Sequence, residues 1–337
     1  MNKNRFKINQ ALVGNRHLFP RFTLLIAVHL FLMNPLLTAA DEKPLKATLQ
    51  RAPYKQAVFL GNLANADIIE ASGMAASRLR PDVLWLLNDG GKGPYLYAAG
   101  RDGSDLGRVR ILDAPNVDWE DLAAFRFDDN AFLLIADVGD NKARRSDYYL
   151  YIVKEPEVSG RLPDDAAVLD WTWRIRFIYA DGPRDCEAVA VDLLEKKILL
   201  ITKRRVPPVL YELPLISESS HALQIARRVT VIENIPQPTA DDLIEDPRFG
   251  RLRAQPTAMD ISPDGSLIAV LAYKNAFLYH RPVNEHWPAV FQRPPLLIVM
   301  PQLRQAEALC FDSHGRSLFV TSEIRPAPIY RLDITDR

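Results

Sequence analysis

TAMDISPDGSLIAVLAY, spanning Thr257–Tyr273, reads as two short strands joined by a tight turn. Pro263 presets the backbone for turning, and Asp264 and Gly265 tolerate the angles a turn demands. Small and apolar residues run on either side, as buried strands require. The phrase recurs four more times. A polar residue opens it at Ser72 (SGMAAS), Glu120 (EDLAAF), Glu187 (EAVAVD) and Glu307 (EALCFD), as Thr257 does here. A turn follows each time: Arg80-Pro81-Asp82, Asp128-Asp129-Asn130, Leu194-Glu195-Lys196 and Ser313-His314-Gly315. The second strand then ends at Asp89 (LWLLND), Asp137 (LLIAD), Lys203 (LLITK), Tyr273 (AVLAY) and Glu323 (FVTSE). From opening residue to strand end the distance is 16 or 17 residues in every copy.

Each copy extends outward in the same way. A third strand carries a tyrosine at Tyr97, Tyr151, Tyr211, Tyr279 and Tyr330. A fourth is readable around Val109–Leu112, Trp171–Ile178, Arg228–Ile232 and Leu296–Val299, but the fifth copy ends at Arg337 before reaching one. Val58, Phe59 and Leu60, ahead of the first copy, are available to supply it. Fixed-period repeats mean stacked or radial architectures. The expected fold is therefore all-β, a five-bladed β-propeller closed by the N-terminal strand completing the last blade. A β-sandwich or barrel is the competing reading of the strand pattern. One short helix is expected within Ala240–Gly250.

The first forty residues differ in kind. Lys3, Arg5, Lys7, Arg16 and Arg21 precede an uncharged apolar run, Phe22–Met33, and Thr38, Ala39 and Ala40 follow a break at Asn34-Pro35. That pattern is a secretory signal peptide, with an uncleaved anchor as the other reading. The expected organisation is a signal peptide over 1–40, an N-terminal extension over 41–57 and one propeller domain over 58–337. The protein is then exported, to the periplasm or beyond, as a monomer with no membrane span after cleavage. Residues 41–337 hold 37 Lys and Arg against 42 Asp and Glu, a net charge of −5. An acidic chain lacks the electrostatic footprint of a nucleic-acid binder. Cys186 and Cys310 fall at different phases of non-adjacent repeats and are expected as buried thiols.

In a propeller the innermost strands run parallel around a channel, so a residue repeated in each becomes a ring at one mouth. That ring is Ser72, Glu120, Glu187, Thr257 and Glu307, and the ends of the returning strands bring Asp89, Asp137, Lys203, Tyr273 and Glu323 beside it. Loops entering the inner strands add Asn116, Asp118, Trp119, Arg184, Asp185 and Gln305, and those leaving the second strands add Asp140, Asn141 and Arg204. Trp119 is expected to abut the rim as a stacking face, and the other aromatics to pack between strands. Crowded carboxylates must be compensated by protons or cations. Calcium or magnesium suits such oxygen-rich loops. Ion pairs to Arg184, Arg304 and Lys203, with Asx turns in DVGDN, form the purely structural alternative. No two histidines share the rim, and phosphate-loop and nucleophile-elbow motifs are missing, so neither a His-based triad nor a zinc site is expected.

PTAMDISPDGSLIAVLAY resembles the inner hairpin of TolB-like and WD40-like propellers. EASGMA with LLND, WEDLA with ADVGDN, and CEAVAVD with LLITKR resemble secreted bacterial propellers of the phytase-like and gluconolactonase-like group, over residues 58–334 at the superfamily level. The resemblance implies a propeller and, for part of that group, calcium-dependent phosphoesterase or lactonase activity. Carried over, Glu120, Asp137, Glu187 and Glu307 are the metal ligands it implies. Lys203 and Tyr273 replace acids at the strand-end position, and Thr257 replaces glutamate in the ring. The expected function is therefore binding of a ligand or envelope protein at an acidic channel mouth. The alternative is a calcium- or magnesium-dependent hydrolase of phosphoesters or lactones, with Arg184 or Arg204 steadying an anionic substrate.

Overall fold

The computed structural model describes residues 49–163, 167–216 and 222–335, so the expected signal peptide over 1–40 lies outside the described residues. The fold is all-β and propeller-like. Its inner strands are Ala71–Ala76, Trp119–Phe127, Cys186–Asp192, Pro256–Ile261 and Ala306–Phe311, and nearly every residue in them is buried. Apolar and small side chains on both faces make such strands read as continuous runs, because both faces are covered. Four of the five turn sharply into their antiparallel partners at residues with positive φ: Asp128 and Asp129, Lys196, Gly265 and Gly315. Aspartate and glycine are the residues that adopt that conformation most readily.

Five four-stranded meanders result. Behind the inner strands lie Val83–Asn88, Asn130–Asp137, Lys197–Thr202, Leu267–Ala272 and Ser317–Ser322, with third strands beyond them. The outermost strands are Asp105–Ile111, Trp171–Tyr179, Leu223–Val231 and Leu296–Ile298, and in the last sheet Val58–Asn62 pairs antiparallel with Pro328–Asp333. The first strand among the described residues thus completes the last sheet. The inner strands lie side by side in chain order, and the fifth packs against the first.

Packing follows the pleat, in which successive side chains face opposite ways. On Trp119–Phe127, Ala123 and Phe125 enter a core shared with the third repeat, while Leu122 and Ala124 enter one shared with the first. Met259 and Ile261 face the third repeat and Ala258 the fifth. Five apolar cores arise in this way, each between neighbouring repeats, the last joining fifth to first through Met74, Leu84, Cys310 and Phe319. Cys186 and Cys310 are free, buried and in different cores.

Several features go beyond the repeat pattern. The outer strands Trp171–Tyr179 and Leu223–Val231 pair in parallel, fusing the second and third sheets into one of eight strands. Val168–Leu169 pairs in parallel with Asp105–Ile111, and Ala52 bonds Leu297 at 2.8 Å, so further segments cover two more outer edges. The helix expected within Ala240–Gly250 spans Ala240–Glu245, capped by Thr239 and Asp242 in a reciprocal pair.

One carboxylate crosses the centre of the ring. Asp121, fully buried, accepts the Leu122 N–H at 2.8 Å, the Val189 N–H at 2.8 Å and the Met259 N–H at 3.2 Å, tying three inner strands together. Gly73 lies opposite, where an added Cβ would meet the Asp121–Leu122 peptide at 2.8 Å. Burial without a countercharge holds the Asp121 pKa well above the ordinary carboxylate range. Asp121→Ala removes the shared acceptor of three buried donors. With ~1–3 kcal/mol for each orphaned group, the loss should be about 3 kcal/mol or more. The measurement is a urea midpoint, which should fall at unchanged slope; an unmoved midpoint would show that the three strands do not depend on this carboxylate.

Candidate functional site

At one mouth of the ring each inner strand carries the same irregularity. Register slips between Ala71 and Gly73, Trp119 and Asp121, Cys186 and Ala188, Pro256 and Ala258, and Ala306 and Ala308. The extra residue in each bulge is Ser72, Glu120, Glu187, Thr257 or Glu307, the residue that opens each sequence repeat. A bulge frees one residue from the ladder and re-aims its side chain.

Ser72, Glu120, Glu187 and Glu307 meet Asp89, Lys203, Tyr273 and Glu323 around one cavity of about 140 Å³, with Asn141, Arg204 and Gln305 completing the wall. The Ser72 hydroxyl donates to the Glu120 carbonyl at 2.7 Å, bridging the first two repeats. Lys203 is buried, ion-pairs with Glu187, lies 3.9 Å from Glu307 and sits 4.8 Å above the Tyr273 ring. Glu307 is pushed up to about 7 by burial, and Glu323 and Asp89 add repulsion against the opposing pull of Lys203. Burial, then Asp89 and Asp118, hold Glu120 well above the carboxylate range. Tyr273 is raised by burial and by Glu307, to which it hydrogen-bonds. Asp89 and Glu323 are raised too, burial first and neighbouring acids second.

Two sets of three carboxylates converge closely enough to hold a cation, with ligand oxygens within 4.8 Å of one another: Asp89, Asp118 and Glu120, and Glu120, Asp185 and Glu187. They differ in compensation. In the second set Asp185 pairs with Arg204 at 2.6 Å and Glu187 with Lys203. In the first set no member forms an ion pair among the described residues. Asp118 is pushed up to about 6, by burial and then by Asp89 and Asp185, with Arg145 only partly offsetting them. Gly139 of the DVGDN loop is what lets this set close up, since a Cβ there would collide with Glu120 Oε1 and the Asp118 carboxyl.

The remaining expected residues lie off the cavity wall. Asp185 stands behind it and accepts the Asp140 N–H at 2.8 Å. Thr257 is buried and donates to the Ala306 carbonyl at 2.8 Å, clasping two repeats. Asp137 is buried under the rim, accepting the Asp118 N–H at 3.0 Å and Arg145 at 2.9 Å. It is thus a support for Asp118 and belongs to neither carboxylate set. Arg184 points away to Asp181 at 3.0 Å and the Tyr211 hydroxyl at 3.3 Å. Trp119 offers no stacking face: it is fully buried in the core between the first two repeats. The residue before each bulge keeps the pleat and faces a core, and Ala71, Trp119, Cys186, Pro256 and Ala306 are all apolar and buried there. That shared apolar position was visible in the sequence. Asp118 was missed as a ligand because it lies in a loop outside the repeat.

Carboxylates raised by folding make stability depend on pH in a fixed direction. A raised folded pKa contributes stability below the unfolded pKa and loses it as pH climbs through the folded one. Asp118 and Asp260 at about 6 and Glu307 at about 7 place that loss between pH 5 and 7.5. Asp242 and Asp140, depressed by their hydrogen bonds, act only below about pH 4, where their contribution disappears. In chelator, the melting temperature should therefore rise from pH 7.5 to 5.5 and fall again below 4. Glu307→Gln should flatten the rise; a melting temperature that falls steadily from pH 7.5 downward would contradict the electrostatics described.

No family model and no curated protein matches the chain. Among solved structures, a chain in the crystal structure of a nidogen/laminin complex is similar over 75% of this chain and 73% of that one, at 12% identity and a TM-score of 0.39. Similarity that low adds nothing about function to what the strand order and the acidic mouth already convey.

Proposed function

We propose that the protein is an exported five-bladed β-propeller whose acidic mouth binds a divalent cation through Asp89, Asp118 and Glu120, and that binding at this mouth is its function. The five cores in cyclic order and the Val58–Asn62 closure support the blade count. The basic and apolar pattern of residues 1–40 supports export. One observation carries the cation: this set of carboxylates has no ion pair, while its neighbour is already neutralised by Lys203 and Arg204. Oxygen-only donors favour calcium or magnesium, and Asn141 on the same wall offers a further oxygen.

Carboxylates must be deprotonated to ligate, so affinity should weaken as pH falls through about 6, where Asp118 takes up its proton. Calcium or magnesium at 100 times its dissociation constant stabilises by about 2.7 kcal/mol. For a chain this size that is a rise of roughly 4 °C in melting temperature. Asp118→Asn and Glu120→Gln should each abolish the rise, and Arg184→Ala should leave it intact. Isothermal titration with each metal gives the stoichiometry, expected to be one. Absence of any shift with either metal, or an equal shift in Asp118→Asn, would overturn the proposal.

A further inference from the structure

The channel has a second mouth, and its chemistry is the reverse of the first. Where the inner strands leave the ring, a cavity of about 190 Å³ opens, walled largely by apolar side chains such as Phe125, Val191 and Ile261. Three charged residues line it, Arg78, Arg126 and Asp260. Arg126 is exposed and donates to the Arg78 carbonyl at 3.0 Å. Asp260 is already satisfied: its oxygens accept the Ile261 N–H and the Phe311 N–H, each at 2.8 Å. Arg78 is not. Its Nε donates to the Ala124 carbonyl at 2.9 Å, its Nη1 is buried without an acceptor, and among the described residues it forms no ion pair.

An arginine cannot shed its charge, so the orphaned end of the guanidinium calls for an acceptor. A carboxylate is the group that matches it, since its two oxygens take two parallel N–H bonds from the planar fork. Asp260 nearby disfavours a second negative charge on the same ligand. At ~30 Å³ per water-sized group the cavity admits roughly six, a carboxylate and a short chain. We propose that this mouth binds a short-chain aliphatic monocarboxylate, its head on Arg78 and its tail against Phe125, Val191 and Ile261. The site lies at the other end of the channel from the carboxylates and does not depend on the cation proposal.

The test uses the full chain, titrated calorimetrically and by melting temperature with sodium hexanoate. Hexanol supplies the tail without charge, hexylamine the wrong charge, and acetate the head without a tail. Hexanoate should bind saturably and raise the melting temperature, with the other three at least about ten-fold weaker, as expected when the charge-assisted pair or the apolar contact is missing. Arg78→Met should weaken hexanoate by about ten-fold or more for the same reason. Ser313→Phe, which fills the half-exposed rim of the cavity without touching the arginine, should do likewise and decides the matter if Arg78→Met does not fold. Glu120→Gln should leave hexanoate affinity unchanged. Equal binding of hexanoate and hexanol, full affinity in either blocking variant, or no saturable binding up to about 20 mM, the weak end of measurable affinity, would overturn the proposal.

Discussion

The pairing of Val58–Asn62 with Pro328–Asp333 is the constraint on which the rest of the molecule rests. No repeat owns a core; each buries one face against its predecessor and one against its successor. A row of such units leaves two faces bare, and a ring leaves none. Pairing Val58–Asn62 with the last repeat within one sheet is what turns the row into a ring. The geometry there is tight: the register slips between Phe59 and Gly61, and Gly61 lies so near the Asp102 carbonyl that no Cβ fits. Phe59 packs edge-on against Tyr330 across the join, with ring centres 5.5 Å apart.

Closure also explains how so many carboxylates tolerate burial. The inner strands approach one another closely, and their backbone N–H groups are within reach of side chains from the neighbouring repeat. Asp121 and Asp260 direct their carboxyl oxygens at those groups, Asp121 across two neighbours and Asp260 on the fifth repeat through Phe311. At the bulged mouth the acids crowd one another and need further compensation. Lys203 and Arg204 supply it for Glu187 and Asp185. The electrostatic imbalance at Asp89, Asp118 and Glu120 is therefore a product of where the two cationic side chains fall, both on the third repeat.

Much of this was legible in the sequence because repetition converts a one-dimensional spacing into a ring. Any side chain at the opening position of a repeat had to face the axis, and Ser72, Glu120, Glu187 and Glu307 do line one cavity with four of the strand-end residues. What escaped was whatever broke the period. Trp119 looked like rim because it adjoins Glu120, yet a bulge sends consecutive residues to different destinations. Asp118 sits in a loop whose length differs from repeat to repeat. Arg78 lies past the end of its strand, and nothing in its neighbourhood of sequence announces an empty acceptor position. The parallel seam between Trp171–Tyr179 and Leu223–Val231 joins strands that share no pattern, since outer strands pack on one side only.

That seam divides the molecule unevenly. Four residue pairs weld the second and third sheets into one slab, whereas Val168–Leu169 is the outer edge of the first sheet and makes no ladder to that slab. Glu120, Asp185 and Glu187 all stand on the slab, so their separation is set by a stiff body. Asp89 stands on the first sheet and faces Asp118 and Glu120 across a boundary with no strand ladder, sealed by the apolar core around Trp85 and Trp119. The distance between these acids is therefore set by side-chain packing, and a change of volume in that core would be felt at the mouth.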